Sequence, residues 1–280
     1  MKKVLLIVGL LIVVIVGAAG FYFWQAYQKF MTVETISYDP QLTIYLGGGN
    51  SIVLTSEDGT SALIVDTKMR GAAEILKDQV KAKAVTIVNT HDHFDHVGGN
   101  ALYPQAKIIA GEYSKKQWDN DSNKSSRFPD ITLKPGEEKI LKIGGETVHI
   151  FNTGRAHTWN DVVVYCENRK LLVTGDLVFH QMHPAVIAKS GTQIASWISV
   201  LDSLSKKYSI KTLVPGHGHV ADQNALTAMK DYFLAVRDSV GNPDRQAAVK
   251  EKYINYITFP GMFSFHNTLK FIEKEKIHGD

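Results

Sequence analysis

The chain is organised around one stretch of sequence, Ala84-Val85-Thr86-Ile87-Val88-Asn89-Thr90-His91-Asp92-His93-Phe94-Asp95-His96-Val97-Gly98-Gly99-Asn100. Its first six residues are rich in β-branched side chains and free of charge, which predicts a short buried strand. Three histidines and two aspartates then follow within six positions, and a glycine pair suited to a tight turn comes next. The polar cluster therefore lies on a loop at the carboxyl end of a strand, where α/β folds usually keep their chemistry.

The spacing inside this cluster indicates two neighbouring points of attachment. His91 and His93 alternate by two, so an extended backbone points both imidazoles the same way. Asp95 and His96 come where the chain begins to turn, and they can face a second point nearby. Imidazole and carboxylate are ligands for zinc, and also for iron or manganese. A solvated polar loop is the alternative, but the density of the cluster favours a metal site.

Four further polar residues each follow an apolar strand at its end: Asp66, His157, Asp176 and His217. Each is flanked by glycine or a small residue, as in Gly154-Arg155-Ala156-His157-Thr158. Taken alone, a histidine or aspartate in such a place caps a loop more often than it binds metal. Their repetition beside the dense cluster favours one shared site.

Composition narrows the class of protein. The 280 residues carry a formal charge of +3, and Lys2, Lys3 and Lys29 lie in a first segment without acids. Setting those three aside leaves 28 basic residues against 28 acidic ones, so no basic stripe supports nucleic-acid binding. The single Cys166 excludes an internal disulfide, and its strand-like setting predicts a buried side chain.

The first 30 residues predict a membrane anchor. Val4 to Trp24 are free of charge, and a helix of that length spans about 31 Å, close to the ~30 Å core of a bilayer. The leading lysines favour a cytoplasmic amino terminus and place the rest outside the cytoplasm, on the periplasmic or extracellular face. The alternative is a signal peptide cleaved near Gly17-Ala18-Ala19, which would make the protein secreted.

Residues 31–280 predict one domain of short strands and helices. We expect helices at 72–80, 194–206, 221–240 and 267–276. The expected strands lie at 42–46, 51–55, 62–65, 84–89, 107–110, 138–143, 147–153, 161–166 and 171–174.

The run His91-x-His93-x-Asp95-His96, followed in order by His157, Asp176 and His217, resembles the metallo-β-lactamase-fold superfamily of binuclear metallohydrolases. The likeness covers nearly all of residues 33–280 and implies an α/β (α+β) fold, a four-layer αβ/βα sandwich with two metal ions at the edge between its sheets. It implies a first ion held by His91, His93 and His157, and a second held by Asp95, His96 and His217. Asp176 would bridge the two ions.

The same resemblance implies a chemistry. Two divalent ions, Zn²⁺ in the first place and Fe or Mn as alternatives, would lower the pKa of a shared water to about 7. The resulting hydroxide would attack a small ester, thioester or lactone, with Asp95 and Asp176 contributing to catalysis. A bridging aspartate is similar to the ligand set of glyoxalase II-like thioesterases and lactonases, whereas many zinc β-lactamases carry cysteine or no bridging carboxylate there.

Four residues are expected around the ligands. In this superfamily Asp66 would orient a ligand histidine or the cluster loop. His180 and His183 follow Asp176 as the chain leaves the site, so each is a candidate for lining the substrate pocket or donating a proton. His219, where relatives often have a small residue or proline, has the same candidate role or supports a ligand. A satisfied loop histidine is the alternative for His180 and His183.

Other functions remain open on the sequence. β-Lactam hydrolysis would agree with a location outside the cytoplasm. Asp176 counts against it, because many zinc β-lactamases carry cysteine or no bridging carboxylate at that place. A mononuclear iron enzyme that oxidises persulfides shares the fold, but the complete set of Asp95, His96 and His217 disfavours it. A non-catalytic binding protein on the same scaffold would be expected to lose ligands, and none is lost here. The sequence carries no sign of oligomeric state.

Overall fold

The computed structural model describes residues 2–119, 126–259 and 263–278, and two β-sheets form the centre of the described chain. The first sheet holds seven strands in chain order, of which the first four pair antiparallel and the later ones parallel. Its strands are β1 (Glu34–Ser37), β2 (Leu42–Leu46), β3 (Ser51–Thr55), β4 (Ser61–Val65), β5 (Ala84–Val88), β6 (Lys107–Gly111) and β7 (Ile131–Leu133).

The second sheet holds five strands in the described chain, and these too lie side by side in chain order. Neighbouring strands pair antiparallel, except that the two strands latest in the chain pair parallel. The strands are β8 (Glu138–Ile143), β9 (Glu146–Gly154), β10 (Asp161–Cys166), β11 (Leu171–Phe179) and β12 (Thr212–His217).

The helices of the described chain flank these sheets and fill the connections. The α-helices are α1 (Lys2–Met31), α2 (Ala72–Gln79), α3 (Phe94–Val97), α4 (Lys115–Trp118), α5 (Ile194–Lys207), α6 (Asn224–Ser239), α7 (Pro243–Lys252) and α8 (Phe265–His278), and two short 3-10 helices lie at Asn100–Leu102 and Ala188–Ser190.

Alternating side chains bury both faces of each sheet. On β4, Leu63 and Val65 point to a core shared with the second sheet, while Ala62 and Ile64 pack on the outer side with Leu76 of α2. On β10, Val162 and Val164 face the first sheet. The neighbouring Val163 and Tyr165 pack in the core that contains α5, α6 and α8. The result is the expected α/β sandwich, helix layer against sheet against sheet against helix layer.

Helix α1 covers the segment for which the sequence predicts a membrane anchor. No helix in the described part of the chain combines the length and the apolar character that a bilayer crossing requires. The predicted span begins in residues 1–11, whose side chains lie outside the described part. The anchor stays a prediction.

Candidate metal centre

The candidate ligands converge because their strands end at one edge of the sandwich. Thr90 to His93 follow β5, Asp95 and His96 lie in the short helix α3, and His157 follows β9. Asp176 lies within β11, and His217 is the last residue of the neighbouring strand β12.

Two glycines allow this convergence. Gly175, with φ of 52°, lies so close to Thr90 that a Cβ there would be 2.4 Å from the Thr90 Oγ1. A Cβ on Gly216 would lie 2.0 Å from Oδ1 of Asp176. Side chains at either position would push the ligand-bearing segments apart.

A first group contains His91, His93, His157 and Asp176, whose possible ligand atoms lie within 4.8 Å of one another. The Nε2 of His157 is 3.1 Å from Nδ1 of His93 and 3.4 Å from Oδ2 of Asp176. The Nε2 of His91 lies 3.8 Å from the same oxygen. These are the residues expected for the first ion, together with the expected bridging carboxylate.

A second group contains Asp95, His96 and His217, within the same 4.8 Å limit. Oδ2 of Asp95 lies 3.1 Å from Nε2 of His217 and 3.8 Å from Nε2 of His96. Oδ1 of Asp176 completes this group, at 3.0 Å from His96 Nε2 and 3.4 Å from His217 Nε2. One oxygen of Asp176 therefore faces each group.

The residues present fit a pair of divalent cations. Among the described residues, Nε2 of His91, Nε2 of His96 and Oδ1 of Asp176 are buried without a hydrogen-bond partner of good geometry. Buried polar atoms are rarely left in that state, so each calls for an explanation such as an ion. Two divalent cations would explain these atoms, because the imidazole nitrogens and carboxylate oxygens are aimed at two points and both are ligands of divalent metals.

Contacts behind the ligands fix which nitrogen faces the centre. Asp66, at φ of 60°, accepts from His96 Nδ1 at 2.7 Å and from Thr90 Oγ1 at 2.7 Å. The Thr90 hydroxyl lies 3.0 Å from Nδ1 of His91, and Ser190 Oγ lies 3.0 Å from Nε2 of His93. Each of these three imidazoles thus has one nitrogen held from behind, which turns the other toward the centre.

Comparisons with known proteins agree with this geometry. The family model of the metallo-beta-lactamase superfamily matches residues 44–217. The chain belongs to that superfamily. A metallo-beta-lactamase type 2 from Bacillus cereus is 23% identical over 192 residues, which cover 63% of this chain and 70% of that protein. A probable metallo-hydrolase from Methanocaldococcus jannaschii is 26% identical over 190 residues, covering 61% of this chain and 90% of that protein.

The superfamily's architecture is shared as well. A solved metallo-beta-lactamase from Pontibacter korlensis aligns with a TM-score of 0.61 and 22% identity over 71% of this chain and 98% of that one. With metallo-hydrolases among its relatives and the His/Asp groups in place, this member of the metallo-beta-lactamase superfamily is a metal-dependent hydrolase.

The two groups of this superfamily site differ in their electrostatics, and in the first group burial prevails. Burial disfavours a charged imidazole and lowers the pKa of His157 to about 3. Burial, with His96 nearby, also holds the pKa of His91 well below its ordinary value. These rings are therefore neutral, which is the form that binds metal.

In the second group the carboxylates prevail. Burial opposes the charge on His96, but Asp176, Asp66 and Asp95 outweigh it and raise the pKa of His96 well above its ordinary value. Burial also opposes the charge on His217, yet the pKa of His217 is raised to about 9, chiefly by Asp176. A field that stabilises protonated imidazoles this strongly favours a divalent cation in the same place.

The remaining expected residues lie at different distances from the ligands. Half-buried His180 donates from Nδ1 to the carbonyl oxygen of the exposed His219 at 2.9 Å, and its backbone N–H donates to the His217 carbonyl oxygen at 3.0 Å. This pair therefore supports the strand end that carries His217. His183 is buried, with Nδ1 2.8 Å from the hydroxyl of Tyr232 on α6, which places it among the helices.

Two groups of residues near the centre went unnoticed in the sequence. Ser190, which contacts His93, ends a short 3-10 helix of three residues, Ala188–Ser190, whose sequence carries no sign of a ligand contact. Lys68 and Asn50 contact the loop beside the second group. The available signal was the run Gly47-Gly48-Gly49 before Asn50, since consecutive glycines indicate backbone conformations that other residues rarely adopt, and all three have positive φ.

Proposed function

We propose that the protein hydrolyses a small ester, thioester or lactone with two divalent ions, Zn²⁺ in the first place, bound in the two groups. The observation that carries this proposal is the Asp176 carboxylate, buried at 3% exposure with one oxygen toward each group. Bound divalent ions would supply an attacking water that ionises near neutral pH and would stabilise negative charge on the reacting carbonyl oxygen.

The protein's own residues supply positioning and access. Asp66, Thr90 and Ser190 hold three ligand imidazoles in fixed orientations, so the centre needs little rearrangement when substrate arrives. Of the seven candidate ligands, His93 is the one that is half-buried, and the neighbouring Phe94 is half-buried too. Substrate therefore approaches over His93 and Phe94.

The choice of substrate class follows from Asp176 and His96. A complete second group with a bridging aspartate resembles the ligand set of thioesterases and lactonases more than that of many zinc β-lactamases. β-Lactam hydrolysis is the second candidate, because the Bacillus cereus relative is a metallo-beta-lactamase type 2. We also propose that the protein works outside the cytoplasm, held by the segment that α1 covers.

The test begins with the metal content of the purified full-length protein, measured by plasma mass spectrometry without added metal. We expect about two zinc ions per chain, and hydrolysis of esters, thioesters or lactones that a chelator abolishes and zinc restores. The control is Asp176→Asn, which should lose turnover by at least about 100-fold. Fewer than two ions per chain, or turnover that the chelator leaves unchanged, would contradict the proposal. Hydrolysis of nitrocefin in preference to the ester panel would select the second candidate.

A further inference from the structure

Lys68 stands in a backbone conformation that lysine rarely adopts. The turn Asp66-Thr67-Lys68 contains two non-glycine residues in the left-handed region, with φ of 60° at Asp66 and 65° at Lys68. Such conformations are unfavourable for residues other than glycine and persist where the surroundings demand them. The role of Asp66 is explained by its bond to His96, whereas nothing in the proposed chemistry uses Lys68.

The ammonium of Lys68 is entirely buried, at 0% exposure. Its Nζ donates to three backbone carbonyl oxygens, those of Tyr45 at 2.8 Å, Gly47 at 2.7 Å and Gly49 at 2.6 Å. All three N–H bonds of the ammonium are therefore used on one short segment, the end of β2 and the loop that joins it to β3. A buried charge is tolerated only with such compensation.

That loop is packed directly on the second group. Gly49, with φ of 75°, leaves no room for a side chain, since a Cβ would lie 2.1 Å from the Asp95 carbonyl oxygen and 3.4 Å from His96 Nε2. The loop therefore forms a wall against the residues that α3 contributes.

The next residue of the loop reaches the opposite sheet. The Asn50 N–H donates to the Gly216 carbonyl oxygen at 2.8 Å, and Asn50 Nδ2 donates to the carbonyl oxygens of Pro215 and Gly218, both at 2.9 Å. These acceptors lie on either side of His217. The loop thus connects α3 in the first sheet's half of the molecule with the end of β12 in the second.

We propose that Lys68 is a positioning residue for the second metal ion: by clamping the Gly47–Asn50 loop, it sets His217 at the right distance from Asp95 and His96. The inference rests on the proposed two-ion function. The first ion does not depend on this clamp, because His93 is held by Ser190 and His91 by Thr90.

Lys68→Met tests the clamp, because it keeps the length of the side chain and removes all three donors. Zinc binding to the metal-free full-length protein is titrated by competition with a chromophoric chelator, and circular dichroism checks the fold. We expect one of the two binding constants to fall by about 10- to 100-fold, with the other unchanged. The control Ser190→Ala should weaken the first ion instead.

Double variants identify the ion that Lys68→Met retains. Adding His157→Ala to Lys68→Met should leave the protein with almost no tightly bound zinc, whereas adding His217→Ala should cause little further loss. Asn50→Ala removes the clamp from its other end and should reproduce the selective loss, which keeps the test decisive if Lys68→Met fails to fold.

The inference is overturned if the variants that fold bind both ions as tightly as the unmodified protein, or if both ions are weakened alike. If the unmodified protein itself binds fewer than two ions, the proposed function fails and the clamp fails with it. Two ions in the unmodified protein with no selective effect would overturn the clamp alone.

Discussion

At the scale of the residue, buried polar side chains behind the ligands determine how the centre is held. Asp66 is fully buried and accepts three hydrogen bonds, from the Thr90 N–H at 2.8 Å, the Thr90 hydroxyl and His96 Nδ1. It fixes the loop that carries His91 and the ring of His96 at once. Because the carboxylate acts through these two neighbours, its loss should be felt by the metal and not only by the fold.

We therefore predict that Asp66→Asn lowers zinc affinity by about 10- to 100-fold. The amide cannot serve as a charged acceptor for both the Thr90 hydroxyl and His96 Nδ1, so the ring of His96 loses its fixed tautomer and orientation. Chelator competition measures the affinity, and Asp231→Asn on the exposed face of α6 is the control. An unchanged affinity in Asp66→Asn would show that Asp66 supports the fold alone.

A second prediction at this scale concerns His183 and pH. Burial lowers the pKa of His183 from 6.5 to about 4, so the folded protein resists a proton that the unfolded chain accepts below about pH 6.5. The lowered pKa of His183 has no effect on stability above about pH 6.5. As the pH falls toward 4 it lowers the free energy of unfolding progressively, by about 3 kcal/mol in all. Urea unfolding of His183→Gln should show a correspondingly shallower loss of stability across that range.

The comparison is made against the unmodified protein in the same buffers, so that the titration of all other groups is common to both. Parallel stability curves for the two proteins between pH 6.5 and pH 4 would contradict the assignment to His183.

At the scale of the element, several of the strands that the sequence predicts bury both of their faces. Leu42–Leu46, Ser51–Thr55 and Asp161–Cys166 occur with the predicted boundaries, because runs of apolar and β-branched residues between turns have few other stable conformations. Strand β11 continues five residues past the predicted end at Thr174, to Phe179. Asp176 and the glycine before it look like a strand end, but parallel pairing with β12 carries the strand onward.

The elements that the sequence analysis missed depend little on a hydrophobic pattern. β1 has four residues, none of them buried, and β7 has three. Helix α7 buries none of its residues and is fixed locally, by Pro243 at its start and by Asn242, whose side chain accepts from the Arg245 N–H at 3.0 Å. That capping signal was present in the sequence.

The sequence predicts the residues of the candidate site more completely than it predicts these elements. All seven candidate ligands come together because the strands that carry them, in both sheets, end at one edge of the sandwich. Lys68 and Ser190 were not foreseen, since their partners are backbone carbonyl oxygens or a ring far away in the chain. No local pattern distinguishes a buried lysine from the exposed kind that most lysines are.

Helix α5 gives a prediction at this scale. Its Trp197 is fully buried, donates from Nε1 to the Leu177 carbonyl oxygen at 2.9 Å, and packs its ring 5.0 Å from that of His157. Trp197→Phe should lower the free energy of unfolding by about 1–3 kcal/mol, because the buried Leu177 carbonyl loses its donor next to Asp176. Denaturant unfolding measures it, with Trp159→Phe as the aromatic control. Equal loss in both variants would contradict a specific role for the α5 contact.

At the scale of the whole molecule, the two sheets are joined at opposite ends by different means. At one end the candidate ligands come from both sheets. At the other, before β11 begins, Arg169 donates from Nε to Asp39 Oδ2 at 2.6 Å and pairs with the buried Glu146. Asp39 precedes β2 in the first sheet and Glu146 begins β9 in the second, so Arg169 ties the sheets without metal.

This arrangement predicts that metal stabilises the whole fold. An ion that binds only the folded chain adds about 4 kcal/mol at a concentration 1,000 times its dissociation constant, so chelation should lower the melting temperature markedly. Asp176→Asn should lose most of that difference between zinc-loaded and chelated protein, because its carboxylate faces both groups. Arg169→Met is the matched control: it should cost roughly 3 kcal/mol in both states, since it leaves Asp39 and Glu146 without their cation, while the zinc-dependent difference stays unchanged. A melting temperature indifferent to chelation, or a zinc effect abolished by Arg169→Met, would show that the ions do not join the two sheets.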